Sequence, residues 1–285
     1  MDKIRIAIQK SGRLSEQSLV LLKESGISLS NGERRLVSSA SNFPLEILYL
    51  RDDDIPQYVA DNVADLGIVG ENVVMEKALP LNTVLKLGFG KCRLSLAIPK
   101  NEDYLSSEYF NGKKIATSYP GILRKYLKDN NIDSEIHEIS GSVEIAPGIG
   151  LAHAIFDIVS SGSTLISNGL KEVEVVADSE AIMVAYQNLS LTKQELLEKL
   201  VFRIKSVQKA KSNKYILLNA PNHNLEKIIQ IIPGMKSPTI MPLAEPGWSS
   251  VHSVLNENEF WEIIDKLKDL GAQGILVIPI EKMII

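Results

Sequence analysis

Along most of the chain, short apolar runs alternate with polar turns rich in small residues. Ile4–Ile8, Leu45–Leu50, Leu66–Val69, Arg93–Ile98 and Lys114–Ser118 each read as a strand, and Glu135–Ile139 alternates as a half-buried strand does. Helical patterns lie between them. Ser15 is placed to cap a helix carrying Leu19, Leu21 and Leu22, with Gly26 as its stop. Asp54-Ile55-Pro56 opens another, and the acidic run Asp52-Asp53-Asp54 suits the positive end of its dipole or, alternatively, a metal ion. Glu71–Ala78 follows, and Tyr119-Pro120 opens a helix over Gly121–Leu127. Glu172–Val176 and Ile182–Tyr186 read as strands that return to the first lobe. Thr192 is placed to cap a long helix with Leu196, Leu197, Leu200, Ile204 and Val207 at helical spacing. Such alternation of strand and helix predicts an α/β fold.

The last quarter of the chain changes character. Strands at Tyr215–Leu218, Thr239–Leu243, Val251–Leu255 and Ile275–Ile280 enclose helices at Asn224–Ile232, ended by Pro233-Gly234, and at Asn258–Leu270, ended by Gly271. The order β-α-β-β-α-β is that of a ferredoxin-like α+β module.

One stretch carries the most chemistry. The apolar run Ile155–Val159 stops at Ser160-Ser161-Gly162-Ser163-Thr164, and a helical pattern follows over Leu165–Leu170. A strand feeding a small-residue turn that opens a helix presents main-chain N–H groups to an anion, most naturally a phosphate. The same pattern also suits an ordinary turn with a Ser or Thr cap. Residues 64–73 echo it: without gaps, Asp65 falls on Asp157, Leu66 on Ile158, Gly70 on Gly162 and Asn72 on Thr164. Two similar α/β lobes facing across a cleft would produce such an echo. Glu144 and Asp157 add two carboxylates on the N-terminal side of the loop, suited to ribose hydroxyls or to the surroundings of Mg²⁺.

Composition narrows the class. The 285 residues are 45% apolar and 23% charged, as in ordinary globular proteins. A net charge of −4 argues against a general nucleic-acid binder. The single Cys92 excludes an internal disulfide, and Met1-Asp2-Lys3 runs straight into a strand, leaving no room for a signal segment. No apolar run approaches membrane-spanning length, so a cytoplasmic protein is expected. Two lobes with long crossovers would also fit a solute-binding protein, the effector-binding part of a regulator, or another nucleotide-binding transferase.

The residues themselves select among these. Glu144, Gly150, Ala152, Ile155, Asp157, Ile158, Ser161, Gly162, Thr164 and Leu165 stand at the fixed spacings of the long-form ATP phosphoribosyltransferases of histidine biosynthesis, which the chain resembles over essentially its whole length. Gln9–Arg13, Arg51–Pro56, Asp65–Asn72 and Ala116–Pro120 also match stretches of that family. His153 departs from the acidic residue expected in many bacterial members.

The resemblance implies a two-lobed, periplasmic-binding-protein-like catalytic core with a C-terminal ferredoxin-like regulatory domain. Lobe I would hold residues 1–92 and 178–211, lobe II 93–177, and the regulatory domain 212–285. It implies ATP and 5-phosphoribosyl 1-diphosphate as substrates, with Mg²⁺ as cofactor. Asp157, Ser160, Ser161, Gly162, Ser163 and Thr164 would bind the phosphoribosyl diphosphate, and Lys10, Arg13, Glu144 and Asp157 would act in catalysis. Gln9, Arg13, Arg51, Asp65, Gly70, Glu71 and Tyr119 would form the ATP side. Histidine would inhibit through Asn219, Met235, Ser237, Thr239 and Ala272, within a homo-oligomer that passes between dimer and hexamer. Neither nucleic acid nor membrane is implied as a partner. His153 reads as a satisfied helical residue.

Overall fold

The computed structural model describes residues 2–29, 36–232 and 234–284. The sequence features assigned to Met1 and Pro233 lie outside these. The chain divides into two compact units, residues 1–20 with 27–197, and residues 21–26 with 198–285.

The first unit contains two sheets. One is built from β1 (Ile4–Gln9), β2 (Val37–Ser39), β3 (Leu45–Leu50), β4 (Leu66–Gly70) and β5 (Asn82–Lys86), with helices α1 (Arg13–Glu24), α2 (Ile55–Ala60) and α3 (Glu71–Lys77) along the same stretch. The other is built from β6 (Cys92–Pro99), β7 (Lys114–Thr117), β8 (Glu135–Glu138), β9 (Ala154–Val159) and β10 (Leu170–Ser179), with α4 (Pro120–Asp129) and α5 (Ser163–Ser167). β11 (Ala181–Ala185) then returns to the first sheet. The strand orders are β2-β3-β1-β4-β11-β5 and β10-β6-β9-β7-β8.

The two orders share one plan. In each, three parallel strands place the first in the middle, and an antiparallel strand lies beside the third: β3-β1-β4 with β11, and β8-β7-β9 with β6. The internal echo is therefore real as topology, since β4 and β9 are the third parallel strand of their sheets. Its residue match slips, however. Asp65 precedes β4, whereas Asp157 is the fourth residue of β9.

Other local readings are corrected. Glu172–Val176 does not return to the first lobe: it lies in β10, which pairs with β6, and the changeover comes only after Ser179. α5 ends at Ser167, and Leu170 opens β10 instead of closing a helix. Ser15 is not a cap, because α1 begins at Arg13 and Ser15 is buried in its first turn. Ser190, not Thr192, precedes α6 (Leu191–Lys211), its Oγ accepting from the Lys193 amide at 3.5 Å. Asp54 stands at the start of α2 but makes no side-chain cap, and a 3-10 turn over Asp52–Asp54 takes up the acidic run.

Each lobe buries its own core: Ala7, Ile55, Val59, Val69 and Ile182 in one, Leu94, Leu96, Phe110, Leu123 and Phe156 in the other. Burial of each large side chain stabilises by about 1.5–3 kcal/mol, so the sheet edges that frame the cleft are firmly held.

The second unit takes in α6 from Glu198 onward, so the compact boundary falls inside that helix, earlier than residue 212. Buried Ile204, Val207 and Ala210, and the bond from the Met283 amide to the Ser206 carbonyl, account for this. β12 (Asn213–Pro221), α7 (Leu225–Ile231), β13 (Thr239–Pro242), β14 (Trp248–Asn256), α8 (Glu257–Asp269) and β15 (Gln273–Pro279) follow. The antiparallel order β13-β14-β12-β15 is that of a ferredoxin-like sheet, as the element order predicts.

Candidate active site

In parallel α/β sheets, ligands bind beyond the carboxyl ends of the strands. In the first lobe those ends are Gln9, Leu50 and Gly70; in the second they are Thr117, Glu138 and Val159. The two edges face each other. Asn72, at the start of α3, donates from Nδ2 to the Tyr119 phenol oxygen at 3.1 Å. A cavity of about 430 Å³ is lined from both sides, by Asp53, Val73, Glu76 and Lys77 and by residues 118–120 and 138–140.

A second cavity, of about 290 Å³, is lined by Glu144, Asp157 and the bend that follows β9. Gly162 turns that bend with φ of +79°, a conformation that strains any residue with a Cβ. Ser161 and Ser163 hydroxyls meet at 3.0 Å. Among the described residues, the main-chain amides of Ser161 and Gly162 find no acceptor within the protein. Arg93 donates from Nη1 to the Ser160 carbonyl at 3.2 Å while its other nitrogens pair with Glu172, which fixes the entry to the bend. With α5 only five residues long, its dipole is small, and the pull on an anion comes from these local N–H groups.

Carboxylates line both cavities, Glu144 and Asp157 beside the bend and Asp53, Glu76 and Glu138 in the other. Burial raises the Asp157 carboxyl to about 6, the Ile158 amide opposing and Glu144 adding to the rise. Asp52 is likewise raised to about 6, by burial and then by the Asp53 charge. Its buried Oδ1 has no hydrogen-bond partner among the described residues. Burial, and then the Asp157 charge, push the Tyr119 phenol well above its ordinary range, with Asp52 and Asp53 contributing. Of these, Asp53 shares a cavity wall with Tyr119, and Asp157 lines the neighbouring cavity.

The predicted residues divide into those at the cleft and those elsewhere. Glu144, Asp157 and Ser160–Thr164 come together as expected, save that Ser163 is not part of the cavity wall. Gln9 ends β1, and Lys10 bonds through its amide to the Leu50 carbonyl at 2.8 Å, so Lys10 and Arg51 sit side by side at the carboxyl edge. The side chains of Lys10, Arg13 and Arg51 are exposed and enter no ion pair among the described residues. Asp65 is a correction. It is 2% exposed at the opposite edge of the sheet, accepting from the Arg5 amide at 2.8 Å and pairing with Lys193 at 2.7 Å, so it supports the fold and does not face the cleft. Glu71 turns its carboxylate to Lys86 at 3.1 Å. Gly70 acts by its lack of a side chain: a Cβ there would lie 2.3 Å from the Asn72 Oδ1. His153 lies in a bend before β9, not in a helix, and its Nδ1 accepts from the Lys114 amide at 3.0 Å. Glu76 and Ser179 escaped the sequence reading, whereas Asp52 and Asp53 entered it as a helix-start acid run or metal ligand and Asn72 as part of the echo. No local signal pointed to Glu76 or Ser179, because their partners lie 45 and 107 residues away.

In the second unit, Asn219 pairs with Ser250 in β14 and Thr239 with His252. Met235 and Ser237 are exposed before β13, and Ala272 is buried before β15. His252 joins Tyr215 and Ser250 through its two ring nitrogens, at 2.7 and 2.9 Å.

Comparison with known proteins agrees with this geometry. Residues 51–206 match the family model described as ATP phosphoribosyltransferase, and residues 210–282 match that of its C-terminal domain. The ATP phosphoribosyltransferase of Bacteroides thetaiotaomicron is 62% identical over 282 residues, spanning 99% of this chain and 100% of that one. That of Cytophaga hutchinsonii is 62% identical over 281 residues, 99% and 98% of the two chains. The Thermotoga maritima ATP phosphoribosyl transferase HisG:HisZ complex superposes with a TM-score of 0.61 at 29% identity, over 71% of this chain and 98% of that one. A histidine kinase sensor domain similar to periplasmic binding proteins superposes with a TM-score of 0.50 at 11% identity, over 73% and 90%, a likeness of fold alone. With a periplasmic-binding-protein-like core, a ferredoxin-like module C-terminal to it in sequence and relatives this similar over the full length, the chain belongs to the ATP phosphoribosyltransferases, pentosyl-transferring enzymes, in their long form.

Proposed function

We propose that the protein joins ATP to 5-phosphoribosyl 1-diphosphate, opening histidine biosynthesis. A bond forms between N1 of the adenine and C1 of the ribose, the C1–oxygen bond to diphosphate breaks, and pyrophosphate leaves with the electron pair. The observation that carries this reading is the bend after β9, whose Ser161 and Gly162 amides have no acceptor among the described residues, beside Asp157 and Glu144. The 5-phosphate of the ribose occupies the bend. Asp157 and Glu144 accept from the ribose hydroxyls. Adenine N1 is already nucleophilic, so positioning and charge stabilisation suffice without a strong base. Tyr119, held neutral, serves as a hydrogen-bond donor on the nucleotide side. Lys10, Arg13 and Arg51, exposed and without an ion pair among the described residues, draw in the polyphosphates and the leaving group from the facing edge.

No group of three or more His, Cys, Asp or Glu side chains among the described residues is arranged as a metal cage. The buried, partnerless Asp52 oxygen and the raised Asp157 do fit a Mg²⁺ that takes most of its ligands from diphosphate and water. When bound, the ion neutralises charge on the departing pyrophosphate.

Inhibition by histidine at the C-terminal module, assembly as a homo-oligomer and a cytoplasmic setting complete the reading. No helix among the described residues is long and apolar enough to cross a membrane. Pyrophosphate release that requires both ATP and 5-phosphoribosyl 1-diphosphate is the expected result. Release with either alone, or no release with both present, would refute the assignment. Histidine titrated calorimetrically into the full-length protein should give saturable heat, and its absence would remove the regulatory part.

A further inference from the structure

Two residues one turn apart on α3 reach from the first lobe into the second. Asn72 meets Tyr119; Glu76, four positions on, falls on the same helix face. Its Oε1 accepts from the Gly121 amide at 2.7 Å and its Oε2 from the Ile122 amide at 3.0 Å. These amides belong to the first turn of α4, where N–H groups lack intrahelical acceptors, and Tyr119, preceding that helix, supplies no side-chain cap. A carboxylate from the opposite lobe does so instead. The seat is close-fitting: a Cβ on Gly121 would lie 3.0 Å from Oε1 and 3.2 Å from Oε2.

We infer that Glu76 is a positioning residue for the nucleotide. By gripping the start of α4 from across the cleft, it sets where the Ser118–Tyr119 wall stands relative to the first lobe, and so shapes the cavity that takes the ATP. The inference rests on the proposed nucleotide site. A bond of this kind, charged on one side, is stronger than a neutral one, and losing both should be felt where the wall meets its ligand.

Three variants of the full-length protein test it: Glu76→Ala, Glu76→Gln and Gly121→Ala. In Glu76→Ala, amide exchange over the first turn of α4 should quicken, and the KM for ATP should rise about tenfold or more. The KM for 5-phosphoribosyl diphosphate should stay within about twofold, because the bend after β9 is untouched. Glu76→Gln, which keeps one acceptor oxygen, should fall between Ala and wild type, and Gly121→Ala should resemble Glu76→Ala. Faster exchange with an unchanged KM for ATP would reduce Glu76 to a helix cap and overturn the inference, as would equal loss for both substrates. Should the wild-type protein release no pyrophosphate, the reaction assigned above fails. The ATP dissociation constants of the same variants, measured by calorimetry, then decide the inference by the same tenfold criterion.

Discussion

The Asn72 side chain donates to the Tyr119 phenol at 3.1 Å, and its own Oδ1 accepts from Ser179, whose Oγ in turn accepts from the Asn72 amide. One buried amide thus ties the first lobe to the second and to the strand end where the chain crosses back. Because the Tyr119 oxygen already accepts from Asn72, its proton points elsewhere and is available to a ligand. Asn72→Ala strands two hydroxyls, so it should lower stability by about 1–3 kcal/mol and raise the KM for ATP. Urea unfolding and steady-state kinetics check both effects, and an unchanged unfolding midpoint would count against the tie.

Asp157 and Asp52 are each raised from 3.8 to about 6. Between those values the folded chain binds more protons than the unfolded one, so stability is greatest at the acid side and falls as pH rises from about 4 to about 6. The loss is at most about 3 kcal/mol for each carboxylate, and less where solvent screens it. Asp157→Asn should therefore stabilise the ligand-free protein at neutral pH and flatten its thermal stability over that window, while impairing activity. A variant less stable than wild type at pH 7 would contradict the argument.

Thr164 is exposed at the bend, so Thr164→Ala should raise the KM for 5-phosphoribosyl diphosphate and leave the melting temperature near that of wild type. Gly162→Ala should do both kinds of damage, since its positive φ costs an L-residue about 1–2 kcal/mol. If Thr164→Ala leaves kcat and KM unchanged, that side chain has no part in phosphate binding.

Asp65 gives the opposite pattern. Asp65→Asn weakens a buried ion pair with Lys193 and should cost about 1–3 kcal/mol of stability. The KM for ATP should not move, because the residue stands at the far edge of its sheet. A selective rise in that KM would restore Asp65 to the nucleotide site.

Lys10 and Arg51 neighbour each other at the carboxyl edge with no ion pair among the described residues. Lys10→Ala and Arg51→Ala should leave folding intact and lower kcat/KM more at low salt than at high, because exposed charges act through a screened field. A salt-independent loss would point to a direct structural role.

Local pattern was enough to read most elements here. Apolar runs mark β1, β4 and β9, because a strand buried along most of both faces needs them, and β3 is marked although only Leu45 and Ile47 are fully buried in it. The order of elements after residue 212 predicts its sheet, since few connections satisfy that order. The bend at Ser160–Thr164 is legible for the same reason: small residues and a glycine are what a tight turn beside a phosphate requires. Spacing could not separate Asp65 from Asp157, because a slip along a strand exchanges one sheet edge for the other while leaving the apolar pattern intact.

What the sequence alone determined was which segments are strands, helices and tight small-residue turns, because periodicity and turn chemistry act over a few neighbouring residues. Only the tertiary structure decided which polar groups meet. Asn72 and Tyr119 are 47 residues apart, Glu76 and Gly121 are 45, and Asn72 and Ser179 are 107. Hydrogen bonds at such separations exist only once two sheets have formed and brought their carboxyl edges together, and burial there raises Asp52 and Asp157 to about 6.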